Sequence, residues 1–340
     1  MKIGIVGDVH WCTYSSILRQ RDGRFSLKLK NLITSVNFAE HSTEDCDIVV
    51  YLGDFFDRPD LTAEELSALR EIVWNKKQHY FIVGNHESET ASLVNNTPKV
   101  FDLLNFAVFS EVWRWDIDDE SVRLVFIPYQ TSREMLDLNT IPKSNKKTVI
   151  FSHNDIQVQY GMYHSTVGYT VEDIEKNCDL FINGHIHNFG TIGKKIINVG
   201  NLTGKNFCED GFVYKHRIAI LDTDTMEVTY KINPYAINFY KLDLSNGNIA
   251  PLYDLFEMPD ARACVSAICL EDDADEVRDY LNKHAVSSRV VLMKKAAKDV
   301  ADNSQEIRVA DHLELFKQYI NEKYSIDSEI EKREMSLVVR

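Results

Sequence analysis

Lys2-Ile3-Gly4-Ile5-Val6-Gly7-Asp8-Val9-His10 lies at the start of the chain, and its form decides the fold. A short β-branched apolar run stops at a glycine. Asp8 and His10, two groups able to hold a metal, follow at once. The same form returns four times. Ile48–Leu52 runs into Gly53-Asp54-Phe55-Phe56-Asp57, and Tyr80–Val83 into Gly84-Asn85-His86-Glu87. Val149–Phe151 runs into Ser152-His153, and Leu180–Ile182 into Gly184-His185-Ile186-His187. Unbroken apolar runs of this length read as strands buried on both faces. In open α/β sheets, ligands collect beyond the carboxyl ends of the strands, where all five motifs fall.

Helical patterns separate the early runs. Phe25 to Glu40 carries Leu29, Leu32, Ile33, Val36 and Phe38, and Thr62 to Asn75 carries Leu66, Leu69, Ile72 and Val73. Thr62 with Glu65 three residues on is a capping-box signature. Strand–helix alternation predicts a mainly parallel core. From about Ile196 the pattern changes to strands with tight turns, over Ile196–Val199, Gly211–Leu221 and Thr225–Ile232. A second sheet facing the first is expected, with both sandwiched between helices. Past Pro234 the sequence predicts strand Ala263–Leu270, helix Asp272–His284 and strand Val286–Met293, a small α+β unit. A polar linker over Lys298 to Gln305 precedes a helical stripe of Val309, Leu313, Phe316, Ile320 and Tyr324. The expected organisation is therefore a catalytic domain over 1–235, a small α+β domain over 236–297, and a linker with helical tail over 298–340.

The 340 residues are 44% hydrophobic and 26% charged, an ordinary globular composition. No apolar run has the length to cross a bilayer, and the N-terminal run is too short for a signal peptide. Cys12, Cys46, Cys178, Cys208, Cys264 and Cys269 form no CxxC pair and read as reduced thiols of a cytoplasmic protein. The formal net charge of −14 opposes unaided binding to a polyanion. Arg19, Arg21, Arg24, Lys28 and Lys30 form a local basic stretch with two readings, a nucleic-acid contact or a solvated face.

The motif residues suit a pair of divalent cations about 3.5–4 Å apart. Alternation past a strand places Asp8 and His10 on one side, so both reach one ion. Asp54 is placed to bridge two ions, and Asn85 offers an amide oxygen. His153 and His185 can complete the ligand set of the second ion, and His187 that of the first. Mixed imidazole and oxygen donors suit Mn²⁺, Fe²⁺ or Zn²⁺. Such a pair yields hydroxide near neutral pH for in-line attack on phosphorus. His86, not needed as a ligand, is placed to steady the phosphoryl oxygens or protonate the leaving alkoxide. Of eleven histidines, five lie in these motifs, which chance placement does not explain. His41, His79, His164, His216, His284 and His312 lack motif context and read as structural or solvated.

The motif order resembles the calcineurin-like metallophosphoesterases. It is most similar to the SbcD-type DNA repair nucleases, whose eukaryotic relatives are the meiotic-recombination-eleven proteins. The likeness covers motifs over about 1–235 and layout beyond. It implies a four-layer α/β/β/α metallophosphoesterase sandwich, a DNA-capping domain, and a tail that binds an SbcC or Rad-fifty-type coiled-coil ATPase. It further implies a homodimer within a heterotetramer. Length and the short capping region resemble the versions of tailed bacteriophages, which would place the protein in the host cytoplasm. Asn201 stands near where relatives place a loop lining the metal site. Many relatives have GNHD where this chain has Gly84-Asn85-His86-Glu87, and some have His in place of Asp57.

Both departures resemble the serine/threonine protein phosphatases, but Pro59 and Trp11 stand where those enzymes have glycine. The paired His185 and His187 are typical of the nuclease and phosphodiesterase branches. Three functions stay open on sequence: a nuclease subunit acting on DNA, a phosphatase or phosphodiesterase of small molecules or phosphoproteins, and a silent scaffold.

Overall fold

The computed structural model describes residues 1–293 apart from 14–17, 19, 105, 118–121, 132–134, 161–162 and 259–261. The expected linker and tail over 298–340, with Val309, Leu313, Phe316, Ile320 and Tyr324, lie outside the described residues. Met1–Lys294 form one compact unit.

Two six-stranded sheets face each other. Across the first run Glu227–Ile232, Arg217–Asp222, Lys2–Val6, Ile48–Tyr51, Gln78–Ile82 and Ala107–Phe109. Across the second run Gly190–Ile192, Ile196–Asn198, Leu180–Asn183, Lys147–Ser152, Val122–Ile127 and Trp113–Asp116. Alternation along each strand sorts its side chains to two faces. Ile48 and Val50 point between the sheets to meet Val149, Phe151 and Ile182. Val49 and Tyr51 point outward against Leu29, Leu32 and Val36 of helix Leu27–Ser42. Ile150 and Phe181 point outward from the second sheet against Ile174 of helix Val171–Asn177. The result is the expected α/β/β/α layering.

Sheet membership corrects the sequence reading. The second sheet does not begin near Ile196, since it already holds Lys147–Ser152 and Leu180–Asn183. Arg217–Asp222 returns to the first sheet, antiparallel to Lys2–Val6, and Glu227–Ile232 pairs beside it. An apolar period marks a strand without naming its neighbour. The strand expected from Gly211 starts only at Arg217, and the helix expected to reach Asn75 is Ala63–Leu69. That helix does carry the Thr62–Glu65 capping box, worth about 1 kcal/mol.

Asn238–Leu244, Ala263–Leu270 and Ser287–Met293 form a separate three-stranded parallel sheet with crossover helices Ala250–Glu257 and Ala274–His284. Its core includes Leu242, Leu252, Val265, Val277 and Leu281. The first strand and helix of this unit were not read from sequence. The basic stretch is not a free cationic face. Lys28 is buried, Arg21 pairs with Glu64 and Arg24 with Glu71. Arg19 lies outside the described residues.

No helix among the described residues is long and apolar enough to cross a membrane. Burial pushes the thiols of Cys178 and Cys264 up to about 12, leaving them protonated and unreactive.

Candidate metal centre

The chain must turn sharply where each strand delivers its motif. Gly53 does so at φ 98°, and a Cβ there would lie 2.5 Å from His153 Nδ1. Gly84 is held tighter still, since its Cβ would sit 2.1 Å from Asp54 Oδ1. His10, Asp54 and His185 themselves adopt φ of 52°, 47° and 67°. Left-handed backbone at a non-glycine residue costs about 1–3 kcal/mol and collects at functional sites. His10 therefore reaches the site by a left-handed turn, not by the strand alternation expected from sequence.

The eight motif residues converge. Asp8, His10 and His187 form one donor group, and Asp54, His153 and His185 another, each with ligand atoms within 4.8 Å of one another. Asp54 also groups with His10 and His86, which puts its carboxylate between the two sets. His10 Nε2 and His187 Nε2 lie 2.9 Å apart. Asn85 Oδ1 lies 3.1 Å from His153 Nε2 and 3.0 Å from His185 Nδ1. His153 Nε2 lies 3.2 Å from Asp54 Oδ2. Two ligands about 2.1 Å from one metal, at a right angle, stand about 3 Å apart. The donors are thus spaced like edges of coordination shells. Asp8 Oδ2 is fully buried with no hydrogen-bond partner among the described residues. An orphaned carboxylate oxygen is costly unless a cation takes it. The residues fit a divalent pair.

Each ring has a partner on its far side, the arrangement that fixes tautomer and aim in metal-binding histidines. His153 Nδ1 donates to the Leu52 carbonyl at 2.7 Å. His185 Nε2 lies 3.2 Å from Asp155 Oδ1, which also accepts from the Tyr163 hydroxyl. His187 Nδ1 lies 3.5 Å from Glu209 Oε1. His10 Nδ1 lies 3.0 Å from Asp57 Oδ1, and Lys205 Nζ lies 2.8 Å from that same oxygen. Asp155, Glu209 and Lys205 were missed in the sequence. Asp155 stands two residues past His153, a signal that was there to use. Glu209 and Lys205 lie in the irregular stretch 199–216, which carries no motif. Asn201 does line this region, since its Nδ2 donates to Glu209 Oε1 at 2.8 Å. His216, read as structural, sits one layer behind, with Nδ1 on the Asn201 carbonyl and Nε2 3.8 Å from Glu209. His79 pairs with Glu40 in the core, away from the site.

Protein charges alone set opposed tendencies here. Burial resists charging of His153, but Asp54 and Asp8 outweigh it and hold its pKa at about 9. Burial works against Asp54 as well, yet His153 keeps its carboxyl well below the usual range. Burial dominates at His10, whose pKa falls well below 6.5. Burial and Asp54 together push Glu87 up to about 8. Glu87 binds no donor cluster. It accepts from the Phe56 and Gly84 amides at 3.0 and 2.7 Å, tying the second and third motif loops together.

His86 stands at the rim, with its side chain 36% exposed. Its Nδ1 donates to the Asp57 carbonyl at 3.0 Å, and its amide donates to Asp54 Oδ1 at 2.9 Å. Nε2 is thereby the nitrogen left for a substrate.

Fold and donor set together define a class, the metallophosphoesterases. The model of the calcineurin-like phosphoesterase family matches residues 1–189, more than half of the chain, and the protein belongs to that family. It is therefore a metal-dependent hydrolase of phosphoesters. Comparison with curated proteins gives no match.

Proposed function

We propose that the protein is a two-metal DNA nuclease, the phosphodiesterase subunit of an SbcCD-like recombination and repair complex. The observation that carries this reading is the paired Gly184-His185-Ile186-His187 motif, with one imidazole in each donor group. The three-stranded unit appended after Pro234 and the apolar stripe over 309–324 support it. A coiled-coil ATPase docked on that stripe would supply the DNA-binding surface that a net charge of −14 does not. Homodimerisation and, for a phage-encoded protein, residence in the host cytoplasm belong to the same proposal.

Asp8, His10, Asp54 and His187 would hold one ion, and Asp54, Asn85, His153 and His185 the other, with Mn²⁺ the first choice. The ions supply Lewis acidity and an acidified water. His86, fixed through Nδ1, directs Nε2 to the oxygen that leaves and, in its imidazolium form with both nitrogens protonated, would give it the Nε2 proton and be left neutral. Glu87 keeps the loops carrying Asp54 and Asn85 in register.

Digestion of linear duplex and single-stranded DNA with Mn²⁺, with and without the candidate ATPase, tests the reading. Cleavage that disappears in Asp54→Asn is expected. Turnover confined to phosphopeptides, cyclic nucleotides or nitrophenyl esters would favour the phosphatase reading, which the Gly53-Asp54-Phe55-Phe56-Asp57-Arg58 stretch supports.

A further inference from the structure

Lys205 stands in this cluster without belonging to either group of candidate metal ligands. Its ammonium sits 2.8 Å from Asp57 Oδ1 and 3.1 Å from His10 Nδ1, with its side chain 21% exposed. Its position is set at both ends. The Lys205 amide donates to both oxygens of Glu209 at 3.1 and 3.2 Å, and Glu209 is itself buried. Gly204 beside it donates to the Ile237 carbonyl at 2.9 Å. Arg58, the cation next to Asp57 in sequence, is spent elsewhere, on Glu65 at 2.6 Å and on the Asp60 carbonyl.

An ammonium has three donors. Asp57 Oδ1 pairs with the ammonium at 2.8 Å, and the His10 ring lies against it, Nδ1 at 3.1 Å and Nε2 at 3.5 Å. Those two neighbours engage at most two of the three N–H groups and leave one for a ligand at the mouth of the site. His86 borders the same mouth, its ring 5.0 Å from that of His10. The carboxylates of Asp8, Asp54 and Asp57 crowd the floor and repel an anion. A fixed point charge with a spare donor at the rim is what a phosphate oxygen requires.

We propose that Lys205 is a substrate-binding residue that takes a non-bridging oxygen of the scissile phosphate, held for that purpose by Asp57 and Glu209. The proposal rests on the phosphoesterase reading of the site and adds to it a residue outside all five motifs.

Full-length protein loaded with Mn²⁺ tests it, with inorganic phosphate as the probe. Lys205→Met keeps the apolar stem and removes the charge. Calorimetry should show phosphate binding weakened about ten- to a hundredfold, as for a lost charge-assisted hydrogen bond. KM for bis(4-nitrophenyl) phosphate should rise more than kcat falls. Mn²⁺ stoichiometry and affinity should stay at wild-type values, and Lys205→Arg should recover most of the phosphate affinity. Unchanged phosphate affinity in Lys205→Met overturns the proposal. So does a parallel loss of Mn²⁺ affinity, which would make Lys205 a support for His10 instead. A wild-type protein that takes up Mn²⁺ but neither binds phosphate nor hydrolyses the ester contradicts the phosphoesterase reading itself.

Discussion

Asp54, Asn85, His153 and His185 each stand within a few residues of the end of a buried strand, whereas His10 and His187 depend on partners in an irregular loop. In the first half, ring orientation comes from a main-chain carbonyl, Leu52, and from Asp155 just past its own strand. In the second half it comes from the carboxylates of Asp57 and Glu209. The stretch 199–216 that holds Lys205 and Glu209 is pinned by contacts, not by sheet. Leu202 donates to the Asp8 carbonyl, Asn201 to the His187 carbonyl, and Gly211 to the Phe239 carbonyl of the small sheet. One half is as rigid as the sandwich itself. The other is as rigid as a loop with few ladder hydrogen bonds, the kind of segment that opens first.

The largest expected effect breaks both halves together. Asp54 stands between the donor groups, so Asp54→Asn should reduce Mn²⁺ binding at both positions and bring ester hydrolysis to background, read by calorimetry and a nitrophenyl ester assay. Two bound Mn²⁺ at full affinity in that variant would contradict the bridging placement.

His86→Ala should leave both halves loaded yet cost about 10²–10⁴ in kcat. The expected signature is unchanged Mn²⁺ stoichiometry with slow turnover.

Asp155→Asn and Glu209→Gln sharpen the contrast. Each should weaken Mn²⁺ binding about 10–100-fold in one half, as loss of an outer partner of a histidine ligand does. Hydrogen exchange should separate them, with faster exchange across 199–216 in Glu209→Gln and no such spread in Asp155→Asn. Equal exchange in the two variants would erase the distinction between the halves.

The last effect is in pH. The pKa of His153 in the folded protein, about 9, stands above the ordinary imidazole value of 6.5. Its charge therefore stabilises chelator-treated protein fully below pH 6.5, and that contribution is lost as pH rises through 9. Mn²⁺ must displace the same proton, so apparent affinity should climb with pH toward 9, by at most about tenfold per unit for one proton. An affinity flat over that range would show that His153 binds no ion.

The contrast between the halves also explains what could be read from the sequence. The strand ends were legible because each pairs an apolar run with a ligand motif, as in Ile48–Leu52 before Asp54. The Thr62–Glu65 box and the helix Ala274–His284 were legible from local chemistry. The return of Arg217–Asp222 to the first sheet was not, because register with Lys2–Val6 is a contact across more than 200 residues. Val122–Ile127 and Asn238–Leu244 are plain strands that end in no motif, and they went unread. Lys205 and Glu209 owe their place to the path of a loop over the site, which no local period encodes. Asp57 was singled out in the sequence without a role, and its carboxylate faces His10 and Lys205, with the His86 ring 3.8 Å away.

Anomalous diffraction from crystals soaked in Mn²⁺ tests the central claim most directly. The account predicts two peaks about 3.5–4 Å apart, one among Asp8, His10 and His187, the other among Asn85, His153 and His185, with Asp54 between them. A single peak, or a pair away from these side chains, would contradict it.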